Sequence, residues 1–445
     1  VPTLPVRIDR AAATPLPAQL SAQVRALILN GTLTLDERLP SSRALAADLQ
    51  VSRSVTETAY EQLLAEGWLA TRHGSGTFVA SRGLDSSTRR ATPTNMSANK
   101  LVRLDSGTPF VDPRYRAGWR RAWREVSATT PPPGYDDPRG LLELRIALVE
   151  RLARTRGLDV DPDDILITAG TTDGFRQLLA ELPAGAIGVE DPGYRAAAAT
   201  VRSVGRKLVD IPAAQPITQL AGVVAAYVTP AHQHPLGPVM SASDRLSLLN
   251  AARAAHALII EDDYDSEFRY DVAPIPALTS LDRDRVVYLG TASKSVYPTL
   301  RVGWMVAPPA LRDAIYERRL TTHAGASWPS QKALVTLLRD GWVDKVVRSA
   351  RRLYAERAVL VADAMTPHAT AVGPLAGMYS AWLLPEDRAV RARDAARKAG
   401  FDINLLSAYC RSSELTGLVV GFGGISDSEL SGALTALTGA LESCA

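Results

Sequence analysis

The chain of 445 residues carries only six lysines, and one of them stands where chemistry is possible. Lys294 lies in Gly290-Thr291-Ala292-Ser293-Lys294-Ser295, directly after an apolar strand-like run, and Arg301 follows seven residues later. An amine wrapped by hydroxyls beside a guanidinium suits a phosphorylated aldehyde. The amine forms a Schiff base, helped by a depressed pKa, while hydroxyls and guanidinium hold the phosphate. Alone, Ser-Lys-Ser reads equally well as surface. A second element sharpens it: thirty-two residues earlier, Ile259-Ile260-Glu261-Asp262-Asp263-Tyr264-Asp265 ends another strand. A carboxylate there can pair with a protonated pyridine nitrogen, the arrangement that makes pyridoxal phosphate an electron sink. Acids at a strand end could instead bind a metal; no His or Cys ligands accompany these, and no metal site is expected.

These residues need a scaffold, and the chain around them supplies one. From residue 104 onward short apolar runs alternate with helical stretches: Asp164–Thr168, Gly185–Glu190, Ala225–Thr229, Ala257–Glu261 and Val286–Gly290. Continuous apolar strands between helices predict an α/β unit with a mostly parallel sheet covered on both faces. We divide the chain into residues 1–80, a polar stretch 81–103 read as a flexible linker, and an effector unit 104–445. The effector unit is expected to have a large part over about 120–310 and a smaller C-terminal α+β part over about 311–445. Charge is nearly balanced, with Lys+Arg 50 against Asp+Glu 47, which excludes a polycation and leaves any DNA claim to a local motif. Two cysteines, Cys410 and Cys444, exclude a disulfide scaffold. No apolar segment approaches the ~18–20 residues of a membrane span, so a cytoplasmic protein is expected, without a membrane partner.

The local motif is in the first 80 residues. Leu16, Leu20, Val24, Leu27 and Ile28 recur at helix period and Gly31 ends the run. Leu39-Pro40-Ser41-Ser42-Arg43 opens a second helix, capped by Ser41 or Ser42. Val51-Ser52-Arg53-Ser54 opens a third, with Ser52 as cap and Val55, Ala59, Leu63 and Leu64 as its buried stripe. Two helices across a tight turn form a helix-turn-helix. Ser52, Arg53, Thr56 and Glu57 are expected on the exposed N-terminal face of the recognition helix, where side chains reach base edges and phosphates. Glu66–Arg72 followed by His73–Val79 reads as a two-stranded hairpin, the wing, with glycines at its tip. Seven arginines and seven carboxylates cancel over 1–80, so any basic face comes from arrangement, with Arg43, Arg53 and Arg72 toward DNA.

Over Pro15–Ala80 the sequence resembles the winged helix of the GntR regulators. That resemblance implies DNA contacts from Arg43, Ser52, Arg53, His73 and Gly74, and double-stranded operator DNA as partner. Over roughly Leu104–Glu442 the chain resembles the fold type I pyridoxal-phosphate enzymes, the aspartate aminotransferase superfamily. The resemblance implies Lys294 as the lysine holding the cofactor, Asp262 on the pyridine nitrogen, and Tyr264 on the phenolic oxygen. It implies Tyr194 stacked on the ring, and Thr291 and Arg301 on the phosphate. Ser293, Thr171 and Thr172 join the phosphate set, the last two opening a helix after a strand. Gly134-Tyr135-Asp136-Asp137-Pro138-Arg139-Gly140 matches a segment whose tyrosine, Tyr135, reaches the phosphate of a second subunit, which implies a homodimer. Both halves on one chain look like the MocR/GabR subfamily of GntR regulators, which includes regulators of pyridoxal phosphate synthesis.

Several positions depart from a working aminotransferase. His234 replaces an asparagine that bonds the phenolic oxygen. Asp173 follows Thr171-Thr172 where a phosphate would sit. Val419 stands where an arginine would clamp a substrate carboxylate. Arg411 is a candidate replacement clamp, and His232 a candidate effector contact. Ala196 replaces an arginine of the GABA-sensing members. A site complete for its cofactor and weak for a substrate suits a sensor whose effector is pyridoxal phosphate or an amino compound. The alternatives are an active aminotransferase with an accessory DNA-binding domain, and an architectural DNA-binding protein without cofactor.

Overall fold

The structure is a computed structural model that describes residues 4–72, 76–80, 101–270 and 275–442. These fall into two compact units, 4–80 and 101–442.

In the first unit, helix α1 (Leu16–Leu29) buries Leu20, Val24 and Ile28, spaced four residues apart on one face. Helix α2 (Ser42–Asp48) starts where the Ser41 hydroxyl accepts the backbone N–H of Ala44 at 3.2 Å. Helix α3 (Arg53–Ala65) follows, and strands β1 (Leu69–Arg72) and β2 (Gly76–Val79) pair antiparallel, Leu69 opposite Val79. One apolar core joins Leu20, Val24, Ile28, Leu45, Ala59, Leu63, Leu69 and Val79.

Two expectations change here. Ser52 occupies the N-cap position of α3, but its hydroxyl bonds Ser54 Oγ at 2.8 Å and does not cap. Thr56 is fully buried and does not lie on the exposed face. Its hydroxyl donates between the carbonyls of Ser42, at 2.8 Å, and Arg53, at 2.9 Å. The reason is helical spacing: Thr56 stands one turn before Ala59 and Tyr60 and two before Leu63, so it belongs to the stripe facing α2.

The second unit opens with β3 (Val102–Leu104), then α4 (Arg116–Ala128) and α5 (Leu142–Arg156). A Rossmann-like alternation follows: β4 (Ile165–Thr168), α6 (Thr171–Glu181), β5 (Ala186–Asp191), α7 (Arg195–Ser203), β6 (Leu208–Pro212), β7 (Val223–Val228), α8 (Ala242–Ala254), β8 (Leu258–Asp263), β9 (Val286–Thr291) and β10 (Gly303–Val306). These strands form a sheet in the order β4-β10-β9-β8-β7-β5-β6. It is parallel from β9 to β6, and β10 runs antiparallel to both neighbours. The mostly parallel sheet expected from the apolar runs is present. Apolar cores line both faces, one with Phe175, Ile260 and Leu289, the other with Leu248, Ile259 and Val286.

Helices α9 (Pro309–Thr322) and α10 (Trp328–Arg339) pack back onto α6 and onto α4 and α5, so the chain does not enter the small sheet at 311. The long α11 (Trp342–Met365) leads to β11 (Thr370–Ala371), β12 (Tyr379–Leu383), α12 (Glu386–Lys398), β13 (Phe401–Leu405), β14 (Gly417–Gly421) and α13 (Asp427–Glu442). The small sheet has the order β11-β12-β14-β13-β3. Its last strand corrects the linker boundary: Val102–Leu104 pairs parallel with Phe401–Ile403. Leu104, fully buried, holds the strand in place; residues 81–100 lie outside the described residues. No described helix is long and apolar enough to cross a membrane.

Because the Thr56 hydroxyl bridges two helices, Thr56→Val removes the donor shared by the Ser42 and Arg53 carbonyls. The expected cost is about 1–3 kcal/mol in the first unit's stability, read by thermal unfolding. A stability unchanged by the substitution contradicts the bridging role.

Candidate functional site

On the helix-turn-helix, Arg43 and Arg53 are exposed, one on α2 and one opening α3. Arg53 Nε donates to Glu57 Oε1 at 2.7 Å, so that carboxylate offsets the charge of its neighbour one turn away. Arg72, at the end of β1, places its guanidinium 4.6 Å over the Phe78 ring and pairs with Asp36. His73 and Gly74 lie outside the described residues.

In the second unit, a cavity of about 380 Å³ opens at the C-terminal ends of the parallel strands, the position where open α/β sheets bind ligands. Lys294, Asp262, Tyr264, Tyr194, Thr291, Ser293, Arg301, Thr171, Thr172 and His234 all line it. Asp262, in β8, pairs with Leu289 of β9, and Lys294 comes three residues after β9 ends. Adjacent strands therefore deliver both groups to one edge.

The floor is polar and buried. Lys294 Nζ donates to the carbonyl of Gly107 at 2.6 Å. Burial pushes its pKa below the ordinary lysine value, against the carboxylates of Asp265, Asp105 and Asp262, as a Schiff-base amine requires. Burial pushes the carboxyl of Asp262 up to about 7. Tyr227 OH bonds its Oδ2, while Oδ1 is buried without a partner. That orphaned oxygen is the fit test for a protonated pyridine nitrogen, which would supply the missing donor and the charge that ionises the acid. Tyr264 OH donates to the His232 carbonyl at 3.0 Å and meets Tyr379 OH at 2.6 Å. His234 stands edge-on to Tyr194 and Tyr264, and burial lowers its pKa to about 3, so the imidazole is neutral.

The phosphate end is built where three strand ends meet. Gly303 of β10 lies opposite Thr168 of β4 and Thr291 of β9. A Cβ on Gly303 would fall 2.8 Å from Gly170 Cα and 2.7 Å from the Gly290 carbonyl. Gly170, at φ +101°, lets α6 begin directly beneath Arg301. The N-terminus of α6, with Thr171 and Thr172, gathers with Arg301, Thr291 and Ser293 along the same cavity, where they could hold a phosphate. Asp173 points away: its Oδ2 accepts from Ala169 N at 3.0 Å and Gln177 Nε2 at 2.7 Å.

Three sequence-derived candidates lie elsewhere. Arg411 does not face the cavity: its guanidinium bonds Asp210 Oδ1 at 2.6 Å and the carbonyls of Glu190 and Val189. The loop after Tyr409 turns it toward the ends of β5 and β6. His232 is buried beside the cavity and bonds Asp265 Oδ2 at 2.7 Å, so it supports Tyr264 from behind. Tyr135 is 82% exposed and stacks on His323 at 3.7 Å, outside the cavity. Conversely, Arg103, Asp105, Arg195, Asn404 and Tyr409 line the cavity and were missed. Val102 and Leu104 flank Arg103 in strand-like alternation, a signal overlooked inside a polar stretch.

A winged helix on one chain with a lysine-bearing aminotransferase-type cavity defines a cofactor-binding transcriptional regulator. Comparison with known families agrees. Residues 16–79 match bacterial regulatory proteins of the gntR family, and residues 99–411 match aminotransferase class I and II. The chain is 35% identical to the HTH-type pyridoxine biosynthesis transcriptional regulator PdxR of Corynebacterium glutamicum, over 94% of each. It is also 35% identical to the probable rhizopine catabolism regulatory protein MocR of Rhizobium meliloti, over 79% of this chain and 77% of that one. An archaeal alanine:glyoxylate aminotransferase shares the fold, with TM-score 0.69 and 24% identity over 77% of this chain and 91% of its own. The chain belongs to the MocR/GabR-type group of GntR-family transcriptional regulators, and its cofactor is pyridoxal phosphate.

When bound, the cofactor supplies an electrophilic aldehyde and an electron-withdrawing ring. On the protein's side, burial lowers the pKa of the Lys294 amine that would meet the aldehyde, Asp262 Oδ1 would face the ring nitrogen, and Tyr264 is held by Tyr379 and the His232 carbonyl.

The raised pKa of Asp262 has a consequence for stability. Unfolded, the acid ionises near 4; folded, it keeps its proton to about 7. Its contribution is full below pH ~4 and is lost as pH rises toward 7. Asp262→Asn cannot ionise, so cofactor-free protein is expected to gain on the order of 1–3 kcal/mol at pH 8 relative to wild type, with little difference at pH 4, while cofactor retention weakens. Urea unfolding at both pH values checks this; a parallel pH dependence in the two proteins contradicts it.

Proposed function

We propose that this regulator answers to pyridoxal phosphate itself and that its target genes serve synthesis of that cofactor. The observation that carries the reading is the contrast within the cavity. Lys294, Asp262 and the group of Thr171, Thr172, Thr291, Ser293 and Arg301 line one cavity, which supports a seat for the cofactor, whereas the expected substrate clamp is missing. Val419 is fully buried in β14 between Ala381 and Asn404, and Arg411 is held by Asp210. The similarity to PdxR over nearly the whole chain supports the same reading. An amino compound joined to the cofactor is the second effector class that the cavity admits.

The regulator acts as a homodimer on double-stranded operator DNA. Tyr135 supports this: its ring is presented outward beside a cleft lined by Pro131, Asp137, His323 and Trp328, as a residue completing the phosphate site of a second copy would be. Arg43, Arg53 and Ser52 on the helix-turn-helix, with His73 and Gly74 from the wing, contact the operator. A DNA-reading role places the chain in the cytoplasm, beside the chromosome.

Footprinting the full chain on its own upstream DNA tests the proposal. Pyridoxal phosphate is expected to change the affinity or the protected span for wild type at least about tenfold, and to leave Lys294→Ala unchanged. Identical footprints with and without the cofactor in wild type overturn it.

A further inference from the structure

The chain's net charge is only +3, yet positive charge gathers on one part of the second unit. Helix α4 turns one face inward: Ala122 and Val126 are buried, and Trp119 and Trp123 pack against the same core. Its other face carries Arg116, Arg120 and Arg124, spaced four apart and all exposed. Helix α11 is built alike. Val343, Val346, Ala350 and Tyr354 are buried, while Lys345, Arg348 and Arg352 are exposed.

The two helices meet where these stripes begin. Trp342 Nε1, at the start of α11, donates to the carbonyl of Tyr115, just before α4, at 2.7 Å. A Cβ on Gly118 would overlap the Trp342 ring. Ser349 Oγ donates to Asp112 Oδ2 at 2.6 Å, and the same carboxylate takes Arg114. Ser349 lies one turn from both Lys345 and Arg352, so those two cations stand on the side of α11 that meets the start of α4.

Nearby arginines have carboxylate partners. Arg121 pairs with Asp340, Arg339 with Glu125 at 2.8 Å, and Arg151 and Arg154 share Asp344. The six exposed cations have none among the described residues. Asp112 at the junction is already occupied, and Glu356, one turn past Arg352, closes the stripe. Like charges one turn apart repel, and a polyanion laid along the face relieves that repulsion. Four helical residues span about 6 Å, and duplex DNA carries one charge per ~1.7 Å of axis. Phosphates are therefore dense enough to serve each cation in turn.

We infer that this face of α4 and α11 is an interaction surface for the phosphate backbone of double-stranded DNA, engaging duplex beyond the stretch that the helix-turn-helix reads. The contact is one of charge and carries no base specificity. The helix-turn-helix supplies register, and this face adds affinity, because a duplex held by one unit is concentrated for the other. The inference rests on the reading above that the chain binds operator DNA.

The test compares full-length, cofactor-loaded wild type with a variant carrying Arg116→Ala, Arg120→Ala, Lys345→Ala and Arg352→Ala. The probes are two duplexes of upstream DNA: the stretch protected in the footprint, and that stretch with about 20 base pairs added on each side. Wild type is expected to bind the longer duplex about tenfold or more tighter than the shorter. The variant is expected to lose that gain while binding the shorter duplex as wild type does. On the longer duplex its plot of log affinity against log salt is expected to be shallower by about three to four, the scale of four phosphate contacts. Lysine at the three arginine positions keeps the point charges and is expected to keep most of the gain. Equal affinity and slope for wild type and the alanine variant on the longer duplex overturn the inference, and point to an acidic protein surface as the occupant. A loss of equal size on both duplexes also overturns it. Failure of the operator reading shows separately, as no protected stretch; the salt slopes are then compared on the longer upstream duplex alone. The four side chains are exposed, and a shared melting temperature checks that both proteins fold alike.

Discussion

The site depends on a buried amine and a buried carboxyl delivered to the same sheet edge by neighbouring strands. Parallel strands lie about 4.8 Å apart, and β8 and β9 are in register where Asp262 faces Leu289. Once both strands are fixed by their apolar runs, Asp262 and Lys294 have no freedom to separate. Burial then lowers the amine and raises the acid. Each group is costly alone in that environment; a cationic ring nitrogen and an aldehyde relieve both. Cofactor binding is thereby written into the sheet's register.

The surrounding parts keep that edge open. Gly303 and Gly170 let three strand ends and a helix start come within backbone contact, which frees the N-terminus of α6 for phosphate. Asp173, at first sight a charge in the wrong place, turns back onto Ala169 N and Gln177. Behind Tyr264, the pair of His232 with Asp265 supports the hydroxyl network with Tyr379. β14 brings no arginine to the cavity; Val419 stands there, buried between Ala381 and Asn404.

Much of this was legible in residue type and spacing. Strand–helix alternation gave the mostly parallel sheet, and lysine scarcity drew attention to Lys294. The helix periods marked out the winged helix. The failures have physical causes. Thr56 looked like a surface residue because threonine is polar, yet its hydroxyl is satisfied by two carbonyls inside the unit. Arg411 was near the cavity in sequence, but Asp210 sits 2.6 Å from it on a strand 201 residues earlier, a contact no local pattern reveals. Arg195 was passed over beside Tyr194 because the ring it stacks on, Tyr409, is 214 residues away in the chain.

Among the six lysines, the buried amine set beside Asp262 is that of Lys294. Borohydride reduction of cofactor-loaded protein, followed by proteolysis and mass spectrometry, tests directly whether that amine holds the cofactor. A phosphopyridoxyl group is expected on the peptide carrying Lys294. A label on a peptide carrying any of the other five lysines, or no label on a protein that retains the cofactor, would contradict it.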